Sequence, residues 1–178
     1  MAILVEGISV IVKASEIHEK VTGRWEGFKN IVPNKTLCCD NEIARVGFMV
    51  PDDVKHFIEK LEFYGLISQG ADGAQDIAVA DQLHGVSAKC DWLEFGHINL
   101  NNDPEKKIVA CRLSGSTEDQ IFMPENWKFE NSLSSSYGFS PAESQSKGLI
   151  FLRHEDGIDV YISKVTGEEV YVGRTGQP

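Results

Sequence analysis

Two histidines and one glutamate near the middle of the chain are the side chains best suited to chemistry. His84 and His97 lie on either side of Glu94, and a set of this composition could hold a divalent metal ion. Side chains alternate between the two faces of a strand, and Glu94 and His97 are an odd number of residues apart, so they point to opposite faces unless Gly96 introduces a bulge. His84 falls in a loop. We therefore predict no metal site and no cofactor.

Cysteine and serine offer no better nucleophile. The chain has four cysteines, and none of them has the C-x-x-C spacing of zinc or thiol-exchange sites. Buried free thiols in a reducing cytosol are the expected state, which favours a cytoplasmic protein. No serine lies in a Gly-x-Ser-x-Gly setting. We predict no catalytic residue. The absence of a nucleophile motif disfavours an enzyme but does not decide the question.

Residues 45–113 carry the most regular pattern of the chain. In 45–50, bulky apolar residues alternate with others, as in a strand with one buried face. Pro51 opens a helix that Gly65 can end in the left-handed conformation. The apolar residues of this helix are Val54, Phe57, Ile58, Leu61 and Tyr64. Further strands are predicted at 76–80, 89–95 and 107–113. This βαβββ unit predicts an α+β fold with a mostly antiparallel or mixed sheet.

A single sheet with the helix on one face would sort the side chains of this unit into two sets. The set expected to face the helix is Val46, Phe48, Val50, Ile77, Val79, Leu93, Phe95, Val109, Cys111 and Leu113. The opposite face carries small residues together with Arg45, Trp92, Glu94 and Arg112. That set is typical of a ligand-binding groove. It also fits a seam covered by another layer of the protein, with Glu94 paired to an arginine.

The chain before residue 45 contains a shorter version of the same order. Residues 7–13 alternate as a strand, Ser15 can cap a short helix through Val21, and 36–39 is another strand. On this element order, the first two thirds of the chain resemble the vicinal oxygen chelate family, in which two βαβββ modules surround a metal-binding groove.

The resemblance implies a small-molecule-binding protein or a metal-dependent enzyme. In that interpretation Arg45 and Arg112 would hold an anionic substrate group, and Glu94 would act as a base or a metal ligand.

The last third of the chain changes in character. Residues 114–147 are rich in serine and are expected to form an irregular connection. Residues 148–178 contain three alternating segments separated by Asp-Gly and Thr-Gly, which predict an antiparallel meander. We expect the meander to pack on a core formed by residues 1–113, so that the core and the meander form one domain. Tyr161 and Tyr171 are predicted cross-strand neighbours and candidate contacts with a partner.

Charge disfavours two classes of partner. The 178 residues carry a formal net charge of -10 at pH 7, whereas nucleic acids and anionic membranes require clustered lysine and arginine. The acidic excess is concentrated in residues 40–81, where nine acidic side chains face three basic ones. Such a stretch is usually a solvated face, but it could also steer a basic protein partner. Asp72, Asp76 and Asp81 are its candidate contacts.

Two functions follow from these observations. The first is a small acidic cytoplasmic protein that binds another protein without catalysis, as bacterial inhibitors and immunity proteins of similar composition do. The alternative is a small-molecule-binding protein or a metal-dependent enzyme resembling the vicinal oxygen chelate group. The sequence is also compatible with a homo-oligomer.

Overall fold

The computed structural model describes residues 1–117, 120–136, 149–155, 158–163 and 169–173. Its helices are α1 Ala14–Lys20, α2 Arg24–Ile31, α3 Pro51–Phe63 and α4 Leu133–Ser136, with 3-10 turns at Leu100–Asn102 and Phe129–Asn131. Its strands are β1 Ala2–Val5, β2 Ile8–Lys13, β3 Cys38–Cys39, β4 Ile43–Phe48, β5 Gln69–Gly70, β6 Gly73–Ala74, β7 Ile77–Asp81, β8 Gly85–Val86, β9 Leu93–Asn99, β10 Lys107–Leu113, β11 Ile121–Phe122, β12 Leu149–Glu155, β13 Ile158–Ser163 and β14 Glu169–Gly173. The α+β class is confirmed.

Helices and two sheets form three layers. The first sheet has the strand order β3-β4-β2-β7-β8 and is antiparallel throughout. The second sheet has the order β11-β1-β10-β9 and is mixed, because β11 runs parallel to β1. Helices α1, α2 and α3 pack on one face of the first sheet, and the second sheet packs on its other face.

Alternation along the strands of the first sheet separates two cores. In β4, Ala44, Val46 and Phe48 belong to the helix-side core, whereas Ile43 belongs to the core between the sheets. Strand β7 divides in the same way, with Ile77 on the helix side and Ala78 between the sheets. Strands β4 and β7 are therefore covered on both faces, and apolar burial on both sides stabilises the fold.

The strands of the predicted βαβββ unit are divided between the two sheets. In the first sheet, β2 lies between β4 and β7. After β8 the chain crosses to the second sheet, where β9 pairs with β10 and β10 pairs with β1. Leu93, Val109 and Cys111, expected to face the helix, therefore pack between the sheets. For the strands of the second sheet the expectation was wrong, because alternation assigns side chains to faces of a strand but does not determine which strands share a sheet. The members of the expected set that lie in the first sheet do face the helices, namely Val46, Phe48, Ile77 and Val79.

Helix α3 has the boundaries that its sequence predicts. Pro51 lies in its first turn. At its end Gly65 adopts φ +93° and donates to the Glu62 carbonyl, while the Leu66 amide donates to the Leu61 carbonyl. These two bonds are those of a Schellman motif, in which a left-handed residue satisfies the last carbonyls of a helix. The side chains of Leu61 and Leu66 are both buried in the helix-side core.

The N-terminal segment contains the predicted strand, helix and strand as β2, α1 and β3, but a second helix that was not predicted, α2, lies between α1 and β3. Ser15 does not cap α1, because the helix already begins at Ala14. An additional strand, β1, precedes this segment and belongs to the second sheet. Gly7, with φ +59°, makes the bend between the sheets, and a side chain there would collide with the Phe48 carbonyl oxygen. This bend lets the first 13 residues contribute to both sheets.

The described part of the Ser-rich connection is anchored to the body. Strand β11 extends the second sheet, and the backbone amide and the hydroxyl of Ser134 both donate to Oε1 of Glu6. The C-terminal meander of β12, β13 and β14 is antiparallel, as predicted. Its packing on residues 1–113 stays a prediction.

Candidate functional site

The four residues predicted to line one groove lie in three different places. Arg45 is 2% exposed and faces the second sheet from β4. Trp92 is half-buried beside the core between the sheets. Glu94 and Arg112 lie in neighbouring strands of the second sheet and are much more exposed. The structure therefore does not bring the predicted set together, because its members belong to different layers.

Trp92 is held by two neighbours. Its Nε1 donates to the carbonyl of Ala74 at 3.0 Å, and the Lys13 Nζ lies 4.8 Å from the centroid of its ring. A cation over an indole face is a favourable contact. These contacts join the start of β9 to the end of β2 and to β6, so Trp92 acts in packing rather than in an open groove.

Glu94 and Arg112 form a cross-strand ion pair, as the seam interpretation expected for Glu94. The Arg112 Nε lies 2.7 Å from the Glu94 Oε2, and this hydrogen bond lowers the pKa of the Glu94 carboxyl. The pair borders a cavity of about 820 Å³ whose wall includes Gly96 and Ala110. Both charged groups are occupied with each other, and an exposed pair of this kind contributes little to stability.

The predicted acidic contacts differ in exposure. Asp72 is exposed and Asp81 is partly exposed. Asp76 is only 3% exposed, and its Oδ2 accepts hydrogen bonds from Lys20 Nζ at 2.7 Å and from the Ile67 amide at 2.8 Å. Asp76 is therefore an internal structural residue and is not available to a partner.

The predicted tyrosine contacts lie in the meander. Tyr161 is in register with Val170, and Tyr171 is in register with Val160, so the two tyrosines are not directly opposite each other. Their side chains lie outside the part of the chain that the structure describes.

The thiols and histidines form no metal site among the described residues. Burial raises the pKa of the Cys38 thiol to about 12 and that of Cys111 to about 12, so both are protonated at neutral pH. Cys39 and Cys90 are half-buried, and burial raises their pKa values as well. His84 Nδ1 lies 3.3 Å from the Asp81 Oδ2 at the end of β7.

A second cavity lies beside Arg45, between the end of β4, the start of α3 and residues 124–133. Its volume is about 510 Å³. We call it the Arg45 cavity, and its lining is Glu6, Asn34, Thr36, Arg45, Gly47, Phe48, Met49, Val50, Asp53, Pro124, Glu125, Asn126, Trp127 and Leu133. This size and this mixture of apolar walls with a few polar groups are typical of small-molecule sites.

Backbone and hydroxyl oxygens hold the Arg45 guanidinium in the wall of this cavity. It donates from Nε to the Ser9 hydroxyl at 2.8 Å, from Nη2 to the Glu6 carbonyl at 2.7 Å and from Nη1 to the Thr36 carbonyl at 3.4 Å. A Cβ at Gly47 would lie 2.8 Å from the Arg45 Cζ, so only glycine at position 47 leaves room for the guanidinium. Burial lowers the pKa of Arg45.

An exposed aromatic residue marks a third site on the helix layer. Phe63, at the end of α3, is 87% exposed and makes an edge-to-face contact with Tyr64 at 5.7 Å between ring centroids. A cavity of about 400 Å³ adjoins it. We call this the Phe63 surface, and it is formed by Asn30, Ile31, Val32, Pro33, Lys60, Phe63 and Tyr64. The sequence analysis did not select Phe63 as a candidate contact, although helical spacing places it away from the apolar face of α3.

Comparisons of the chain with known protein families, with curated proteins and with solved structures find no match. In the described parts of the chain, no helix is long and apolar enough to cross a membrane.

Proposed function

We propose that this chain is a non-catalytic protein-interaction module that binds a basic protein partner in the cytoplasm. The observation that carries the proposal is Phe63. A phenylalanine ring that is 87% exposed leaves an apolar surface in water, and burial of a phenylalanine contributes about 1.5–3 kcal/mol. Large aromatic side chains beside a cavity are typical anchors of protein interfaces.

Charge around the Phe63 surface supports a basic partner. Helix α3 carries four carboxylates, at Asp52, Asp53, Glu59 and Glu62, against two lysines. Glu59 and Glu62 are both exposed and lie within one helical turn of Phe63. A partner that covers Phe63 with an apolar side chain and pairs these carboxylates with arginine or lysine would match the surface. Asp72 and Asp81 are further candidate contacts.

Site-specific photo-crosslinking tests this proposal in the native host. A benzophenone amino acid at position 63 should capture one basic protein, whereas the same group at position 86 should not. Val86 is a matched control, because it is also an exposed apolar residue, at 37%, and lies outside the Phe63 surface.

The affinity of the captured protein then decides the outcome. Phe63→Ser should weaken its binding by about 30-fold or more, the cost of removing an interface anchor of about 2 kcal/mol. Val86→Ser should leave the affinity unchanged, and added salt should weaken the wild-type complex. Capture of a second copy of this chain alone, or equal affinity of wild type and Phe63→Ser, would contradict the proposal.

A further inference from the structure

The Arg45 cavity contains a buried cation that makes no direct ion pair, although the charge of Glu6 acts on it from a longer distance. No carboxylate of the described residues lies within ion-pair distance of Arg45. A guanidinium has five N–H groups, and three hydrogen bonds hold it in place. These bonds use one N–H of each nitrogen, so Nη1 and Nη2 each keep a second N–H that can donate to a ligand. Buried donors without an acceptor are costly, and they favour any ligand that supplies one.

Trp127 supplies a second donor of the same kind. It lines the Arg45 cavity, and its indole Nε1 is buried with no hydrogen-bond partner among the described residues. An indole N–H can only donate. A ligand carboxylate has two acceptor oxygens, so it can accept from Arg45 and also supply the acceptor that the Trp127 indole lacks.

Carboxylates limit the charge that such a ligand can carry. Glu6, Asp53 and Glu125 line the same cavity as Arg45. Glu6 is buried and already accepts from the amide and the hydroxyl of Ser134, whereas Asp53 and Glu125 are exposed. Three carboxylates against one guanidinium disfavour phosphate and other multiply charged anions. They favour a ligand with a cationic group besides its acceptor.

We infer that the Arg45 cavity binds a zwitterionic small molecule of the amino-acid class with an apolar side chain. The carboxylate accepts from Arg45 and from the Trp127 indole. The ammonium group pairs with the exposed carboxylates of Asp53 or Glu125. The apolar side chain packs on Phe48 and the other apolar walls, where its burial adds to the binding energy. This site is separate from the Phe63 surface and does not depend on the partner proposed for it.

Titration calorimetry with four probes tests the inference on the full chain. L-Phenylalanine should bind, and L-phenylalaninamide should bind about tenfold more weakly or worse, because it lacks the carboxylate that accepts from a charged donor. N-acetyl-L-phenylalanine, which lacks the ammonium group, should also bind more weakly. Inorganic phosphate should not bind. Absence of phenylalanine binding at millimolar concentration, equal binding of the amide, or preferential binding of phosphate would each overturn the inference.

Variants that keep the fold locate the binding. Trp127→Phe retains an aromatic ring without the donor and should weaken phenylalanine binding by about 12-fold or more, the value of one hydrogen bond to a charged acceptor. Glu125→Gln should weaken the binding of L-phenylalanine more than that of the N-acetyl probe. Glu105→Gln is the control, because Glu105 is an exposed carboxylate outside the cavity. Unchanged affinity in Trp127→Phe, or an equal loss in Glu105→Gln, would contradict the assignment.

Discussion

Replacing Gly47 with alanine should destabilise the protein by displacing the Arg45 guanidinium. A Cβ at residue 47 would lie 2.8 Å from the Arg45 Cζ and 3.1 Å from its Nη1, so the guanidinium has to move. The end of a long side chain usually moves at little cost. Here the group is buried and hydrogen-bonded, and a shift disrupts the 2.7 Å bond from Nη2 to the Glu6 carbonyl.

The size of the effect follows from two opposing contributions. Loss of a hydrogen bond from a charged donor costs about 1.5–3 kcal/mol. A Gly→Ala exchange at a compatible site stabilises by about 0.4–1 kcal/mol, because it lowers the conformational entropy of the unfolded chain. We expect Gly47→Ala to lower the free energy of unfolding by about 1–2 kcal/mol. For a chain of this length that corresponds to a fall in Tm of roughly 2–8 °C.

Urea unfolding followed by tryptophan fluorescence measures this change, and Gly96→Ala is its matched control. Gly96 also lies in a strand, and nothing lies within 4 Å of the position of its Cβ. Gly96→Ala should therefore be neutral or stabilise by up to about 1 kcal/mol. In an Arg45→Ala background, Gly47→Ala should lose its cost, which a double-mutant cycle detects. A wild-type midpoint for Gly47→Ala, or an undiminished cost without Arg45, would refute the reasoning.

Two further predictions concern the buried ionisable groups. Asp76→Asn should destabilise the protein by about 1–3 kcal/mol in urea unfolding, because it removes the charge that accepts from Lys20. Hydrogen bonding to Asp76 raises the pKa of Lys20, so this stabilisation is complete below the unfolded pKa of about 10.4 and is lost as the pH rises through the folded value. The wild type should lose more stability than Asp76→Asn above that pH, and parallel curves would contradict this. For the thiols, native protein at pH 8 should alkylate slowly at Cys38 and Cys111, because burial raises their pKa values to about 12. Mass spectrometry should find the half-buried cysteines modified first, and all four modified at equal rates only after denaturation.

The sequence could predict those features that depend on neighbours along the chain. Pro51 and Gly65 mark the ends of α3 because proline and a left-handed glycine act through local geometry. The alternation of β4 likewise placed Arg45 on the face away from the helices. The three segments of the meander and the turn residues between them were sufficient for its strand order.

The arrangement of layers could not be predicted in the same way. Alternation identifies two faces of a strand, but the strand that pairs with it can come from any part of the chain. Arg45 and Glu94 have the side-chain types of one groove, yet they belong to different sheets. Asp76 shows the same limit for charge, since an aspartate in an acidic segment is usually solvated but here pairs with Lys20 from α1.

The exposure of Phe63 could be predicted from the sequence, unlike the surroundings of Arg45, because it follows from helix geometry alone. At about 100° per residue, position 63 lies about 180° around the helix axis from Val54 and about 160° from Leu61, and both of these residues are on the buried face. A phenylalanine in that position cannot reach the core that Val54, Phe57 and Leu61 form, whatever covers the other layers. The periodicity that identified α3 therefore also contained the strongest indication of an interaction surface. The Arg45 cavity, in contrast, is lined by residues 6, 45 and 127, which only the tertiary structure brings together.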